Sequence, residues 1–219
     1  MAAPAKYPLL GDTWNGKALT MSRKNDLTDR VFILNARGII AKYPMFTAKP
    51  GDLQAGYSSS EAAKAVSDTN NDWGKQTPND RGFNLYGMRI FLMNTITAGT
   101  TTSISDLLWN DVQDLINKSE LRLQLGTDAP QFIKKMWSLF GPLQVSPLMG
   151  ASTTSTARNV QMSLAQGEVM FGKDGYGIPP GTNWSLDLVL MNGTAATVAA
   201  IDNLQIGIEF VSEERYYAI

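Results

Sequence analysis

Apolar residues recur at every second position in several short segments of this chain, and a period of two predicts β-strands. The clearest segments are "ELRLQLG" at 120–126, "WSLDLVL" at 184–190 and "LQIGIEFVSEERYYAI" at 204–219. Trp184 shares a face with the leucines that follow it, so it is predicted to lie in the core. Four residues of the last segment are also expected to face the core: Leu204, Ile206, Ile208 and Phe210.

A fourth strong segment, "FNLYGMRIFLMN" at 83–94, is apolar on both faces. Strands that are apolar on both faces are typically covered on both, by a second sheet or by a neighbour. One face would carry Tyr86, Met88, Ile90 and Leu92, and the other Leu85 and Phe91. Further strands are predicted within 31–40, 131–145 and 160–172, where β-branched and other apolar residues are frequent.

Helical signals occur in two places. Ser105 can cap a helix whose apolar residues share one face, namely Leu108, Val112, Leu115 and Ile116. Ser58 and Glu61 have the spacing of a capping box ahead of "AAKAV", which predicts a second, shorter helix.

The remaining segments are polar connections. Residues 1–30 are broken by prolines and glycines and are interpreted as an extended N-terminal arm, followed by a single domain at 31–219. That domain contains a long polar excursion at 47–82 and a small-polar loop at 149–159. Seven to nine strands joined mostly by long connections favour a Greek-key arrangement. We therefore predict an all-β protein with one or two short helices, folded as a two-sheet jelly-roll β-barrel or sandwich.

Composition removes much of the usual catalytic chemistry. The 219 residues include no Cys and no His, so disulfides, thiolate–metal sites and His-dependent catalysis are excluded. We predict no catalytic, cofactor-binding or metal-binding residues, no cofactor and no enzymatic activity. An enzyme that uses two carboxylates, such as a glycosidase, stays open, because a pair roughly 5–10 Å apart cannot be recognised from sequence.

Three motifs suggest chemistry but have simpler explanations. "GDTWNGKA" at 11–18 has the Gly and Lys spacing of a phosphate-binding loop, but Ala18 stands where magnesium binding needs Ser or Thr. No strand is predicted before it and no helix after it, so we interpret it as a chance match. Asp106, Asp111 and Asp114 would be spread over a solvated helix surface. "KDGYG" at 173–177 is typical of a turn.

Several segments together resemble a known family. They are "LINKSELRLQLG" at 115–126, "IPPGTNWSLDLVL" at 178–190 and the C-terminal "LQIGIEFVSEERYYAI". In pattern and order, residues 83–219 resemble the upright single jelly-roll capsid proteins of tailless icosahedral bacterial viruses with an internal membrane. The resemblance implies a coat protein in the virion. It also implies assembly into trimers or pseudo-hexameric capsomers together with other capsid proteins.

Charge limits the partners of such a coat protein. The chain has 19 basic and 20 acidic residues, a net charge of −1, and its first 30 residues form no basic arm. Binding to a packaged genome depends on neutralising phosphates, so we predict no direct nucleic-acid contact and a lipid membrane or inner protein layer in between. The start "MAAPAKYPLLGDTW" lacks the apolar core of a signal peptide, which predicts synthesis and folding in the host cytoplasm.

A different class of function is also compatible with a jelly roll. The chain could be a carbohydrate-binding module or a viral spike or receptor-binding protein. Trp73, within the polar segment "NNDWGKQ", is the residue that best fits an exposed aromatic contact with a sugar.

Overall fold

The computed structural model describes residues 7–33, 42–54, 63–94, 117–130, 132–139, 144–146, 159–161, 169–171, 175–190 and 204–219. These residues form strands, one short 3₁₀ turn at Met136–Ser138, and a helical pair at 117–118, joined by turns and loops. The strands are β1 (Thr13–Trp14), β2 (Lys17–Lys24), β3 (Leu27–Ile33), β4 (Lys42–Met45), β5 (Arg81–Asn94), β6 (Ser119–Leu125), β7 (Phe132–Lys135), β8 (Gln144–Ser146), β9 (Asn159–Gln161), β10 (Val169–Met170), β11 (Tyr176–Ile178), β12 (Trp184–Leu190) and β13 (Leu204–Tyr217).

Most strands belong to two antiparallel sheets. The larger has seven strands in the order β1-β2-β13-β5-β10, with β3 also paired to β13 and β11 also paired to β5. The smaller has four strands in the order β4-β12-β6-β7. β8 and β9 pair separately as a two-stranded ribbon.

The path of the chain between the sheets confirms the jelly roll. Successive strands from β3 to β6 pass back and forth between the sheets, and only β6 and β7 are sequential neighbours in the smaller one. The late strands β12 and β13 then take interior positions, β12 between β4 and β6 and β13 between β3 and β5. Insertion of the last strands between early ones is the Greek-key crossing that defines this fold.

The core lies between the two sheets and follows the predicted alternation. Trp184 is buried, as predicted, and stacks on Phe46 with ring centroids 5.1 Å apart. Phe210 lies at the same distance from Phe46, so aromatic side chains from both sheets meet there. Other fully buried core residues include Leu121, Leu123, Leu125, Leu186, Leu188, Ile206 and Ile208.

The two-faced apolar pattern of β5 has a different cause from the one predicted. Its pairing with β13 shifts by one residue, because Val211 pairs with Gly87 while Ser212 pairs with Leu85. Tyr86 is therefore the extra residue of a β-bulge, and a bulge changes which residues face inward. Phe83 and Leu85 before the bulge and Met88 and Ile90 after it are all buried in one core. The strand does not need a second covering layer to explain this pattern.

The described part of residues 1–30 does not form the extended N-terminal arm that was predicted. β2 and most of β3 lie in this segment, and together they pair along much of β13. The signal was weak because Asp29 interrupts the inward-facing apolar series of Leu27 and Val31. Residues before β1 pack as well, since the Leu10 N–H donates to Asn84 Oδ1 at 2.7 Å.

Both helical predictions fall largely outside the described residues. The helix that would begin at Ser105 and end near Lys118 lies mostly in 101–116, of which nothing is described, but residues 117 and 118 at its end are helical. The second would include 62–66. Its described part, 63–66, is not helical, and Ala63 instead forms a bridge with Leu53. Most of the predicted strand at 31–40 and nearly all of the predicted loop at 149–159 also lie outside the described residues.

Candidate functional site

The segment with phosphate-loop spacing forms a β-hairpin. Thr13 pairs with Ala18 and Trp14 with Lys17, which leaves Asn15 and Gly16 as a two-residue turn. Their φ angles are 47° and 77°, and Asn-Gly with positive φ at both positions is the preferred sequence for such a turn. A phosphate-binding loop instead leads into a helix whose N-terminus faces the phosphates. Here Lys17 begins a strand.

The tryptophans do not form a common binding face. Trp73, the predicted exposed contact, is half-buried and stacks on Phe83 with centroids 4.8 Å apart. The Arg81 guanidinium also lies 4.9 Å from the centre of the Trp73 ring. These contacts occupy the ring, so Trp73 does not present the open face that sugar stacking needs. Among the described tryptophans, Trp137 is the exposed one, at 56%.

Neither acidic motif gives a metal site in the described part of the chain. Asp106, Asp111 and Asp114 lie outside it, as does Asp174 of the predicted turn. Within the described ranges, no three Asp or Glu side chains are grouped so as to hold a metal ion. No helix in those ranges is both long enough and apolar enough to cross a membrane.

A fully buried carboxylate, Glu214, binds cations from two other strands. It accepts hydrogen bonds from Arg81 Nη1 at 2.8 Å, from Arg23 Nε at 2.5 Å and from Asn25 Nδ2 at 3.2 Å. Burial raises the pKa of Glu214, but the hydrogen bonds and charges of Arg81 and Arg23 outweigh it and hold the pKa below its usual range. The cluster links β2, β5 and β13 and has a structural role.

A second buried ion pair attaches the excursion at 47–82 to the sandwich. Asp29 faces inward on β3, and Lys64 Nζ lies 2.8 Å from its Oδ1. The Phe46 N–H donates to the other carboxylate oxygen at 2.6 Å. Asn71 continues the attachment, since its side-chain amide donates to the carbonyl oxygens of Phe46 and Gly74, both at 2.8 Å. The excursion is thus anchored beside β3 and β4.

A shallow pocket of about 190 Å³ lies where β12 begins. Its lining includes Lys75, Asn183 and Trp184, together with Thr47, Gln124, Gly126 and Ser185. The Trp184 indole N–H is buried and has no hydrogen-bond partner among the described residues. The pocket is smaller than the roughly 300–1,000 Å³ of typical small-molecule sites. Its side chains offer amide, hydroxyl and ammonium groups but no pair of carboxylates.

Of the six large apolar side chains that are exposed in the described residues, four form two groups, and Met21 on β2 and Ile219 are the other two. Ile133 on β7 and Trp137 in the adjoining turn are 54% and 56% exposed, and we call this the β7 flank. Leu53 and Val66, in the excursion anchored beside β4, are 42% and 82% exposed, and we call this the excursion flank. β4 and β7 are the two edges of the four-stranded sheet. The flanks therefore lie beside opposite edges of that sheet.

Sequence reasoning missed both the Asp29–Lys64 pair and the two flanks. The period-two rule could have placed Asp29 inward, because it alternates with Leu27 and Val31 in "LTDRV". Nothing in the local sequence identifies Lys64, 35 residues away, as its partner. The Asn-Gly pair by itself predicts a hairpin turn, but only the phosphate-loop spacing around it was considered.

Comparison of the chain with protein-family models, with curated proteins and with solved structures found no match.

Proposed function

We propose that the chain is a structural coat protein that self-assembles into the capsomers of an icosahedral viral shell. The resemblance of residues 83–219 to upright jelly-roll capsid proteins suggested this function, and the observed two-sheet jelly roll supports it. The proposed location is the virion of a bacterial virus. Trimers or pseudo-hexamers, alongside other capsid proteins, are the proposed assemblies.

The position of the β7 flank opposite the excursion flank is the observation that carries the proposal. When one surface of a subunit binds a different surface of the next, the contact is heterologous, and it closes into a ring if the rotation allows. A subunit that exposes apolar side chains beside opposite edges of one sheet suits such head-to-tail contact. Trp137 and Ile133 on one side and Val66 and Leu53 on the other are the proposed contact residues.

The charges of the N-terminal region support the absence of direct nucleic-acid binding. Arg23 binds Glu214 at 2.5 Å, and Arg30 lies 4.0 Å from Asp68. Both arginines belong to paired strands, so neither is part of a loose arm that could follow a phosphate backbone. We therefore propose that a lipid membrane or an inner protein layer separates this protein from the genome.

The competing proposal, a binding module or viral spike, draws support from the pocket beside Trp184. Its lining provides polar side chains, and the unpaired indole N–H could donate to a small ligand. Glycan binding was suggested by Trp73, but this residue is half-buried and so no longer supports that function. The pocket therefore supports this alternative less strongly than the opposite flanks support assembly.

Substitution of the β7 flank tests the proposal directly. We expect the purified protein to form capsomers or shells, visible by electron microscopy and light scattering. The double variant Ile133→Ser, Trp137→Ser should shift the particles toward monomers and raise the concentration needed for half-assembly by at least about tenfold, since anchor residues at interfaces often contribute 2 kcal/mol or more. The melting temperature should change little, because both side chains are exposed in the subunit.

Ile219→Ser is the matched control, because Ile219 is a fully exposed apolar residue outside both flanks. This variant should assemble like the unsubstituted protein. Normal assembly of the β7-flank double variant would contradict the assignment of the contact surface. A protein that stays monomeric at high concentration and binds glycans would instead favour the binding module.

A further inference from the structure

The Asp29–Lys64 pair combines close approach with almost complete burial. Lys64 Nζ and Asp29 Oδ1 are 2.8 Å apart, and the two side chains are 2% and 1% exposed. Asp29 projects into the sandwich between Leu27 and Val31, both fully buried. Removing two full charges from water is costly, so a pair in this position gains by becoming neutral.

The surroundings of the Asp29 carboxyl group favour attack by an amine. The Phe46 N–H donates to Oδ2 at 2.6 Å, where it can stabilise negative charge that develops on this oxygen. Thr69, which forms a β-bridge with Asp29, also hydrogen-bonds the carboxylate through its side chain. Burial raises the pKa of the Asp29 carboxyl, against the opposing effects of Lys64 and the Phe46 N–H, and this favours the protonated, uncharged form of the acid.

We propose that Lys64 and Asp29 condense spontaneously into an intramolecular isopeptide bond. A proton passes from the Lys64 ammonium to the carboxylate, and the neutral Nζ attacks Asp29 Cγ. The C–N bond forms while Oδ2 takes up the negative charge against the Phe46 N–H. Oδ1 accepts a second proton from the attacking nitrogen, and the C–O bond breaks to release water. A carboxylic acid and an amine thus give an amide and one water, with no oxidant, reductant or cofactor.

Two physical effects favour the product. Fixed positions within one folded chain act as an effective concentration of roughly 10⁵–10⁸ M for well-oriented groups, far above that of separate reactants. The near absence of exposed surface at both side chains keeps out the water that would hydrolyse the amide. The bond would join β3 covalently to the excursion 35 residues later in the sequence, and so fix the segment that carries the excursion flank.

Mass spectrometry of the folded protein tests this proposal. The intact protein should be lighter than its sequence by one water molecule. The variant Lys64→Arg, which keeps the charge but replaces the attacking amine, should have its full expected mass. Trypsin should leave residues 25–30 joined to a peptide that runs through Lys64 without cleavage, and fragmentation should place the link at Asp29. Peptide mapping is needed because succinimide formation at Asp174-Gly175 also loses one water.

Lys42 and Asp187 provide an internal control. Their charged atoms are even closer, at 2.5 Å, but Lys42 is 51% exposed and is therefore open to water. No peptide joining these two residues is expected. The proposal is overturned if the unsubstituted protein keeps its full mass after prolonged incubation in the folded state, or if the lost water maps to another site. Because mass does not depend on assembly, this result is independent of the proposed coat function.

Discussion

Glu214 and Glu209 lie on the same strand and both bind arginine, but their surroundings differ. Glu214 is fully buried against Arg81 and Arg23, whereas Glu209 binds Arg89 at 2.6 Å with the two side chains 27% and 40% exposed. A charge left without its partner in the interior is costly, whereas a solvated pair contributes little. At the level of single residues, burial therefore decides which ion pairs matter.

We expect Glu214→Gln to destabilise the fold by about 3 kcal/mol, because it leaves the mostly buried Arg81 with only the exposed Asp72 carboxylate, 3.9 Å away, as a counter-charge. The pKa of Glu214 is lowered in the folded state, so its contribution is present above the unfolded value of 4.5 and is lost as the pH falls through the lower folded value. The variant should therefore lose less stability on acidification than the unsubstituted protein. Urea unfolding between about pH 3 and pH 7 measures both effects.

Glu209→Gln is the matched control on the same strand. Its effect should stay below about 1 kcal/mol, as for other solvated pairs. Equal losses of stability in the two variants would show that burial does not decide how much these ion pairs contribute.

At the scale of elements, alternation in sequence predicted the strands whose faces differ clearly. β6, β12 and the first half of β13 were located, and those of their inward residues whose burial is described are buried. The prediction failed where one residue changes the pattern. The extra residue Tyr86 reverses the inward face of β5, and Asp29 breaks the apolar series of β3. A bulge depends on pairing with a distant strand, and the partner of an inward-facing charge can lie far away in the sequence, so a local pattern reveals neither the bulge nor that partner.

Ile208→Asp tests the inward face of β13. Ile208 is fully buried and pairs in register with Asp29 and Ile90. The substitution loses roughly 1.5–3 kcal/mol of apolar burial. It also places a second carboxylate opposite Asp29, so we expect no cooperative thermal transition and mostly insoluble protein. Val211→Asp, on the half-buried opposite face of the same strand, should cost only about 1 kcal/mol. Soluble, normally melting Ile208→Asp protein would show that this face is not core.

At the scale of the whole molecule, the sequence predicted the fold class better than the interaction surfaces. Many strands with long connections already favoured a jelly roll, and the sheet order confirms it. The flanks could not be predicted in the same way. Ile133 and Val66 are exposed because β7 and the excursion lie at the outside of the fold. The order of the strands, which decides this, is set by pairing between distant segments. Apolar residues in sequence do not distinguish a core from a contact surface.

We expect association of the subunits to depend on apolar contact and not on nucleic acid. The bulge at Tyr86 accounts for the two-faced apolar pattern of β5, so the β7 and excursion flanks are the proposed source of that contact. Stable assemblies often bury more than about 2,000 Å² per pair, and neither nuclease nor moderate salt removes such contact. Binding that depends on counterion release would instead weaken by orders of magnitude between about 50 and 200 mM salt.

Sedimentation of purified particles with and without nuclease, across that salt range, should give unchanged particles. Dissociation to monomers on nuclease treatment would contradict the proposed structural subunit. It would mean that nucleic acid holds the particles together, although the chain has a net charge of −1 and its N-terminal arginines Arg23 and Arg30 are paired with carboxylates.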